Sequence, residues 1–118
     1  MIDFFKNLFT GKVEDKYPEI DEDKEIQDVI VRKKAIFRGR VQGVGFRFEA
    51  YSVAAKKGLT GYVKNQEDSS VILEVQGDIK QVFAFIEYLS TLDRVRVDNV
   101  EVVDMEVKGF ETAFKILY

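Results

Sequence analysis

Hydrophobic and polar residues alternate along five stretches of this chain, and apolar residues recur at helical spacing in two others. The alternation predicts β-strands at residues 35–41, 59–65 and 71–76, within 99–107, and at 112–117. The helical spacing predicts one helix over 47–57 and a second after Asp78, with the apolar stripe Ile79, Val82, Phe83, Ile86 and Leu89. Gly58 is placed to end the first helix, and Asp78, with Gln81 three residues later, to cap the second.

The order of these elements predicts the fold class. Each helix has one apolar face and the strands alternate, which is typical of an α+β domain with both helices on one face of an antiparallel sheet. We expect four to five strands in the ferredoxin-like, split β-α-β order. Polar residues such as Arg38 and Arg40 would occupy the other sheet face, in contact with solvent.

Residues 1–30 differ from the rest of the chain in charge. They carry nine acidic and four basic side chains, whereas residues 31–118 carry twelve acidic and fourteen basic ones. This predicts an acidic N-terminal extension, flexible or loosely docked, ahead of a domain at 31–118. Within the extension, residues 2–9 place apolar side chains on one helical face, which suits a frayed or self-docking tail or, alternatively, a partner- or membrane-binding peptide.

Composition excludes several kinds of chemistry. The chain has no cysteine and no histidine, so disulfides, thiol catalysis, cysteine metal sites and a Ser-His-Asp triad are impossible. Hydrolytic chemistry would have to rely on positioning and electrostatics or on carboxylates, and we expect no metal and no cofactor. No apolar run is long enough for a membrane span and no secretory pattern is present, so we expect a cytoplasmic protein. We also expect it to be a monomer.

A glycine-containing loop lies between the first predicted strand and the first predicted helix. It consists of Gln42, Gly43, Val44, Gly45 and Phe46, and Arg47 follows it. Main-chain N–H groups at a helix start have no helical acceptor and, with the helix dipole, favour an anion. An arginine adds a planar fork of donors suited to phosphate. The residues predict an oxyanion cradle for a phosphoryl group, against the alternative of a plain strand-to-helix turn.

Neither of two familiar nucleotide-binding motifs fits this loop. A nucleoside-triphosphatase loop needs Gly-Lys-Ser/Thr, and this chain has Gly45-Phe46-Arg47. A dinucleotide fingerprint needs a third glycine where Phe48 stands.

The order of residues carries a family resemblance. The stretch Gly39-Arg40-Val41-Gln42-Gly43-Val44-Gly45-Phe46-Arg47 resembles the signature of the acylphosphatase family. A second segment agrees, with Gly58-Leu59-Thr60-Gly61-Tyr62-Val63-Lys64-Asn65 followed by Asp68-Ser69-Ser70-Val71. The resemblance covers residues 32 to 118 and leaves out the N-terminal segment. Tyr62 replaces the family's usual tryptophan and Ser69 a usual turn glycine, which would cost stability if that position requires a positive φ.

The resemblance implies a fold, a reaction and site residues. The implied fold is again ferredoxin-like, and the implied reaction hydrolyses an acyl phosphate to a carboxylate and inorganic phosphate. By the same resemblance, Arg47 and the loop from Gln42 to Phe46 bind the phosphoryl oxygens, and Asn65 orients the attacking water. Such chemistry needs mainly positioning and charge stabilisation, which agrees with a chain that lacks histidine and cysteine.

Two other function classes stay open on the sequence alone. The domain could hold an anion without turnover, as a binding or regulatory module, and a phosphate-release assay separates this from catalysis. RNA-recognition domains share the split β-α-β order but need aromatic residues on the third strand. Residues 70–75 contain none, so we expect no nucleic-acid partner.

Overall fold

The computed structural model describes residues 29–118, so the predicted N-terminal extension and its amphipathic segment lie outside the described residues. Strands and helices follow one another in the predicted order. They are β1 (Ile30–Arg40), α1 (Phe46–Lys57), β2 (Thr60–Asn65), β3 (Val71–Asp78), α2 (Ile79–Ser90), β4 (Arg96–Met105) and β5 (Phe114–Leu117). Neither helix in this part of the chain is long and apolar enough to cross a membrane.

The five strands form one sheet in the order β4-β1-β3-β2-β5. β1 pairs antiparallel with β3 and β4, and β2 pairs antiparallel with β3, which confirms the ferredoxin-like α+β class. One detail differs from the fully antiparallel sheet that we expected, because β5 runs parallel to β2. The reason lies in the connection after β4. It crosses to the opposite edge of the sheet but stays at the end of the sheet where β4 finishes. β5 must therefore run opposite to β4, which is the direction of β2.

The hydrophobic core lies between one sheet face and the two helices. Ala35 and Phe37 of β1 are fully buried there, with Leu73 and Val75 of β3. The helices contribute Phe46, Ala50 and Ala54 from α1, and Val82, Phe85, Ile86 and Leu89 from α2. The face of the sheet that packs against the helices thus follows the predicted alternation.

One residue of the predicted α2 stripe was assigned wrongly. Phe83 is only half-buried, and the Lys33 ammonium lies 5.6 Å from the centroid of its ring. Phe85 takes the core position instead, because it lies three residues after Val82 and four before Leu89, whereas Phe83 sits at the edge of that helical stripe.

β1 begins at Ile30, five residues before the predicted start. The first five residues of β1 were not predicted, because Arg32 and Lys33 interrupt the apolar alternation. Both side chains are nevertheless buried. Lys33 pairs with Asp104 on the helix side of the sheet. Arg32 faces the opposite side, where a polar cluster covers it.

The polar cluster joins Arg32 to three acceptors from distant parts of the chain. Its Nε donates to Glu74 Oε1 at 2.8 Å, and its Nη1 donates to Gln76 Oε1 at 3.2 Å and to Glu111 Oε1 at 2.6 Å. Gln76 also exchanges two 2.8 Å hydrogen bonds with the main chain of Lys108. These contacts hold the segment 106–113, hereafter the crossing segment, against the open face of the sheet.

Helix ends show which backbone groups are satisfied. Asp78 caps α2, because its Oδ1 accepts from the N–H groups of Lys80 and Gln81 at 3.0 and 3.4 Å. Gly58 ends α1 in the left-handed conformation, as predicted. Ser69, in the turn between β2 and β3, has a φ of 75°, so the position does require the conformation that the family's usual glycine adopts easily. The N-terminus of α1 has no side-chain cap, and it opens into the cleft described next.

Candidate active site

A cleft of about 220 Å³ lies where the glycine loop, the start of α1 and the ends of β2 and β5 meet. It brings together Arg47 and Asn65, the two side chains expected to act on the substrate, although they are far apart in sequence. The lining is completed by loop and apolar residues: Val41, Gly43, Gly45, Phe46, Phe48, Ile116 and Tyr118. The helix start and the strand end therefore line the same cleft, and the roles of Arg47 and Asn65 there stay predictions.

The loop presents main-chain donors to this cleft. Gly45 is the N-cap of α1 and adopts φ 82° and ψ 13°, and Gly43 has φ 75°, both in the left-handed region that favours glycine. The first main-chain hydrogen bond of the helix joins Glu49 N–H to the Gly45 carbonyl at 3.0 Å. The N–H groups of the preceding residues have no acceptor within the helix. Since no side chain caps them, they are available to an anion.

Arg47 is half-buried at the second position of α1. Its guanidinium lies 5.1 Å from the ring centroid of Tyr118, which follows β5. A cation–π contact of this kind limits the side chain to fewer conformations. Tyr118 was missed by the sequence reasoning, because nothing near the end of the chain indicates that β5 returns to the cleft.

Two of the predicted loop residues, Gln42 and Val44, do not line the cleft. The Gln42 side-chain amide donates to the carbonyls of Gln66 and Ser70, both at 2.8 Å, and so ties the loop to the turn that follows Asn65. The turn itself is closed by Asp68, whose carboxylate accepts from the Ser70 hydroxyl and N–H, and these bonds hold the pKa of Asp68 below its ordinary value. Gln42 thereby couples the two halves of the site.

On the outer side of the loop, a second arginine contacts the main chain. Arg94, between α2 and β4, donates from Nε to the Val44 carbonyl at 2.8 Å and from Nη2 to Glu49 Oε1 at 3.0 Å. Tyr88 donates to the other oxygen of Glu49 at 2.6 Å. The hydrogen bonds from Tyr88 and Arg94 lower the pKa of Glu49. No sequence motif pointed to Arg94.

The chemistry of the cleft is that of an anion site. Among the described side chains that line it, Arg47 alone is charged. The described part of the chain also holds no group of three or more His, Cys, Asp or Glu side chains placed to bind a metal. Backbone donors, one guanidinium and one amide can bind a phosphoryl group and position a water beside it.

Comparison with known proteins agrees with this geometry. A family model described as Acylphosphatase matches residues 33–116. An acylphosphatase from Clostridium acetobutylicum is 41% identical over 81 residues, which cover 68% of this chain and 89% of that protein. One from Picrophilus torridus is 40% identical over 73 residues, which cover 62% of this chain and 88% of that protein.

A solved structure shows the same relationship in three dimensions. The crystal structure of acylphosphatase from Bacillus subtilis matches with a TM-score of 0.70 and 30% identity, covering 76% of this chain and all of that one. The similarity thus extends over both motifs and the sheet that carries them. It favours the predicted acylphosphatase activity over a non-catalytic anion-binding module, and the chain belongs to the acylphosphatase family.

Proposed function

We propose that this acylphosphatase hydrolyses small acyl phosphates in the cleft between the start of α1 and the end of β2. One observation carries the proposal: an uncapped helix N-terminus, an arginine and an asparagine converge in one cleft whose described lining has no other charged side chain. Such a cleft favours a phosphoryl anion and offers no acidic side chain that would repel it.

In the proposed reaction, Arg47 and the N–H groups at the loop–helix junction bind the phosphoryl oxygens. The Arg47 fork supplies two donors in one plane, which matches the separation of two phosphoryl oxygens. Charge that spreads over these oxygens in the transition state is then met by donors already in place. Tyr118 supports this role by restricting the Arg47 guanidinium.

Asn65 is the proposed water-positioning residue. It ends β2, its backbone pairs with Val71, and its side chain lines the same cleft as Arg47. The oriented water attacks phosphorus, the bond between phosphorus and the acyl oxygen breaks, and its electron pair leaves with the carboxylate. The proton released by the water ends on the inorganic phosphate. A carboxylate is a stable leaving group, so no general acid is needed to expel it.

The test is phosphate release from a synthetic aryl-acyl phosphate, with and without chelator. We expect turnover that chelator leaves unchanged. Arg47→Lys should reduce kcat/KM by about 10²–10³, because a point charge cannot replace a preorganised fork of donors. Arg38→Lys is the matched control, since Arg38 is an exposed arginine paired with Glu101 on the open sheet face. Near-normal turnover in Arg47→Lys, or activity lost in chelator and restored by Mg²⁺, would contradict the mechanism.

We further propose that the domain acts as a cytoplasmic monomer and that the predicted extension, residues 1–30, takes no part in catalysis; the test removes residues 1–28, because β1 begins at Ile30. The family model matches residues 33–116, which contain Arg47, Asn65 and the glycine loop, and this supports a site that needs no residue of the extension. Light scattering tests the monomeric state, and cell fractionation tests the cytoplasmic location. The kcat of a variant lacking residues 1–28 tests the role of the extension. A truncated protein that folds but does not turn over would place the extension in the site.

A further inference from the structure

The loop between the two site glycines is held from outside by an arginine that the proposed mechanism does not use. Arg94 Nε donates to the Val44 carbonyl at 2.8 Å, while its Nη2 pairs with Glu49 in the first turn of α1 at 3.0 Å. The guanidinium also lies close to Gly45, because a Cβ built there would be 3.5 Å from Arg94 Nε. One side chain therefore bridges the loop and the helix that follows it.

The orientation of one peptide plane follows from this contact. A trans peptide is planar, so its C=O and N–H point in opposite directions. With the Val44 carbonyl turned to Arg94, the Gly45 N–H must point away from Arg94. Gly45 lines the cleft and Arg94 does not, so this N–H is directed to the cleft side of the loop. The positive guanidinium on the carbonyl also polarises the peptide and makes its N–H a stronger donor.

We propose that Arg94 is a positioning residue of the phosphate site, which orients the Val44–Gly45 peptide so that the Gly45 N–H meets the phosphoryl group. The proposal rests on the function proposed above. Arg94 does not touch the substrate and acts through the loop. Glu49 and Tyr88 support this role, because the hydrogen bond from Tyr88 holds the Glu49 carboxylate with which Arg94 pairs.

If Arg94 served only to stabilise the fold, its removal would lower the melting temperature and leave the affinity for phosphate unchanged. The Arg94 side chain is 54% exposed, and exposed ion pairs contribute little to stability. Removal of Arg94 should therefore change the affinity for phosphate while leaving the melting temperature nearly unchanged. Arg38 offers a matched control, because it too is a part-exposed arginine paired with a glutamate, at 3.1 Å, but it lies on the open face of the sheet.

The experiment compares wild type with Arg94→Ala, Arg94→Lys and Arg38→Ala at fixed ionic strength. It measures KM and kcat for an acyl phosphate, the inhibition constant of inorganic phosphate, and the phosphate-induced shift of the Gly45 amide by NMR. Loss of one hydrogen bond that orients a donor should raise KM and the inhibition constant together by about fivefold. Because the same N–H group also meets the transition-state charge in the proposed mechanism, kcat should fall as well, by about fivefold or less. The Gly45 shift should shrink in parallel.

Arg94→Lys separates geometry from charge. Lysine keeps the charge but cannot span the Val44 carbonyl and Glu49 with a planar fork, so it should resemble Arg94→Ala. Wild-type constants in Arg94→Lys, or equal constants in Arg94→Ala and Arg38→Ala, would overturn the proposal and leave the proposed function standing. A wild-type protein with neither turnover nor phosphate inhibition would overturn both.

Discussion

Replacing Arg32 by methionine should be among the most damaging single changes to stability, and it should leave the chemistry alone. The Arg32 side chain is fully buried on the open face of the sheet, and those of Glu74 and Glu111, which it pairs with, are 10% and 21% exposed. Methionine keeps much of the volume but removes every donor, so the loss is electrostatic rather than a cavity. Arg32 lies toward the end of β1 opposite the glycine loop, so we expect no direct effect on the cleft.

The expected loss of unfolding free energy depends on the charges that stay buried after Arg32 is replaced. Removing one partner of a buried pair costs about 3–5 kcal/mol, because the other charge stays buried without compensation. Glu74 would keep its 2.9 Å hydrogen bond from Tyr62, and Glu111 has some access to water. We therefore expect the lower end, about 3 kcal/mol, or a melting temperature lower by roughly 12–24 °C at 4–8 °C per kcal/mol.

Urea unfolding followed by circular dichroism measures this free energy, with Arg38→Met as control. The control removes an exposed arginine from an ion pair with Glu101 and should cost no more than about 1 kcal/mol. A double variant, Arg32→Met with Glu74→Gln, removes the charges of Arg32 and Glu74 while keeping an acceptor for Tyr62, and it should recover part of the loss. Equal costs for Arg32→Met and Arg38→Met would refute the view that the buried pair stabilises the fold. A specific activity well below wild type in the folded variant would refute its separation from the site.

Three further predictions concern acid, the turn and the water. Burial alone would raise the pKa values of Glu74 and Glu111, but the hydrogen bonds from Arg32 and from a neighbouring hydroxyl, together with the positive charges of Arg32 and Lys108, outweigh it, and both pKa values lie below the ordinary range. Stability from these pairs is thus complete above the unfolded pKa of about 4.3 and falls as pH drops through the lower folded values; an Arg32→Met protein with the same acid-induced loss would contradict this. Ser69→Gly should stabilise by about 0.5 kcal/mol, since relief of a left-handed serine exceeds the added chain entropy, and a lower urea midpoint would count against it. Asn65→Ala should lower kcat with little change in phosphate inhibition, and a change confined to the inhibition constant would make Asn65 a binding residue.

The elements that local patterns could predict are the ones the structure confirms. Helices and strands are marked by periods of 3.6 and 2 residues, which need only neighbouring positions. The caps at Gly58 and Asp78 are equally local, and so is the glycine loop that leads to Arg47. Because these signals are local, the amino-acid sequence was enough to predict the fold class and the family.

The features that the sequence did not reveal depend on contacts between distant segments. The polar cluster joins Arg32 to Glu74, Gln76 and Glu111, which lie 42, 44 and 79 positions further along the chain. Nothing near Arg32 in the sequence therefore distinguishes it from a solvated strand residue. Arg94 meets Val44 across 50 positions. The direction of β5 likewise depends on the path of the crossing segment, which no periodicity encodes. Such pairings arise only when the whole sheet is assembled.

The length of β1 has a consequence for how this protein can be held in the cell. Residues 1–28 join the domain just before Ile30, and the glycine loop follows Arg40 at the other end of the same strand. Ten residue steps of about 3.3 Å separate these points by roughly 33 Å. Anything attached through the N-terminal segment would hold the domain at the end remote from the cleft, leaving the cleft open to diffusing substrates. For that segment to reach the cleft, it would have to double back beside the whole sheet, which takes about ten extended residues.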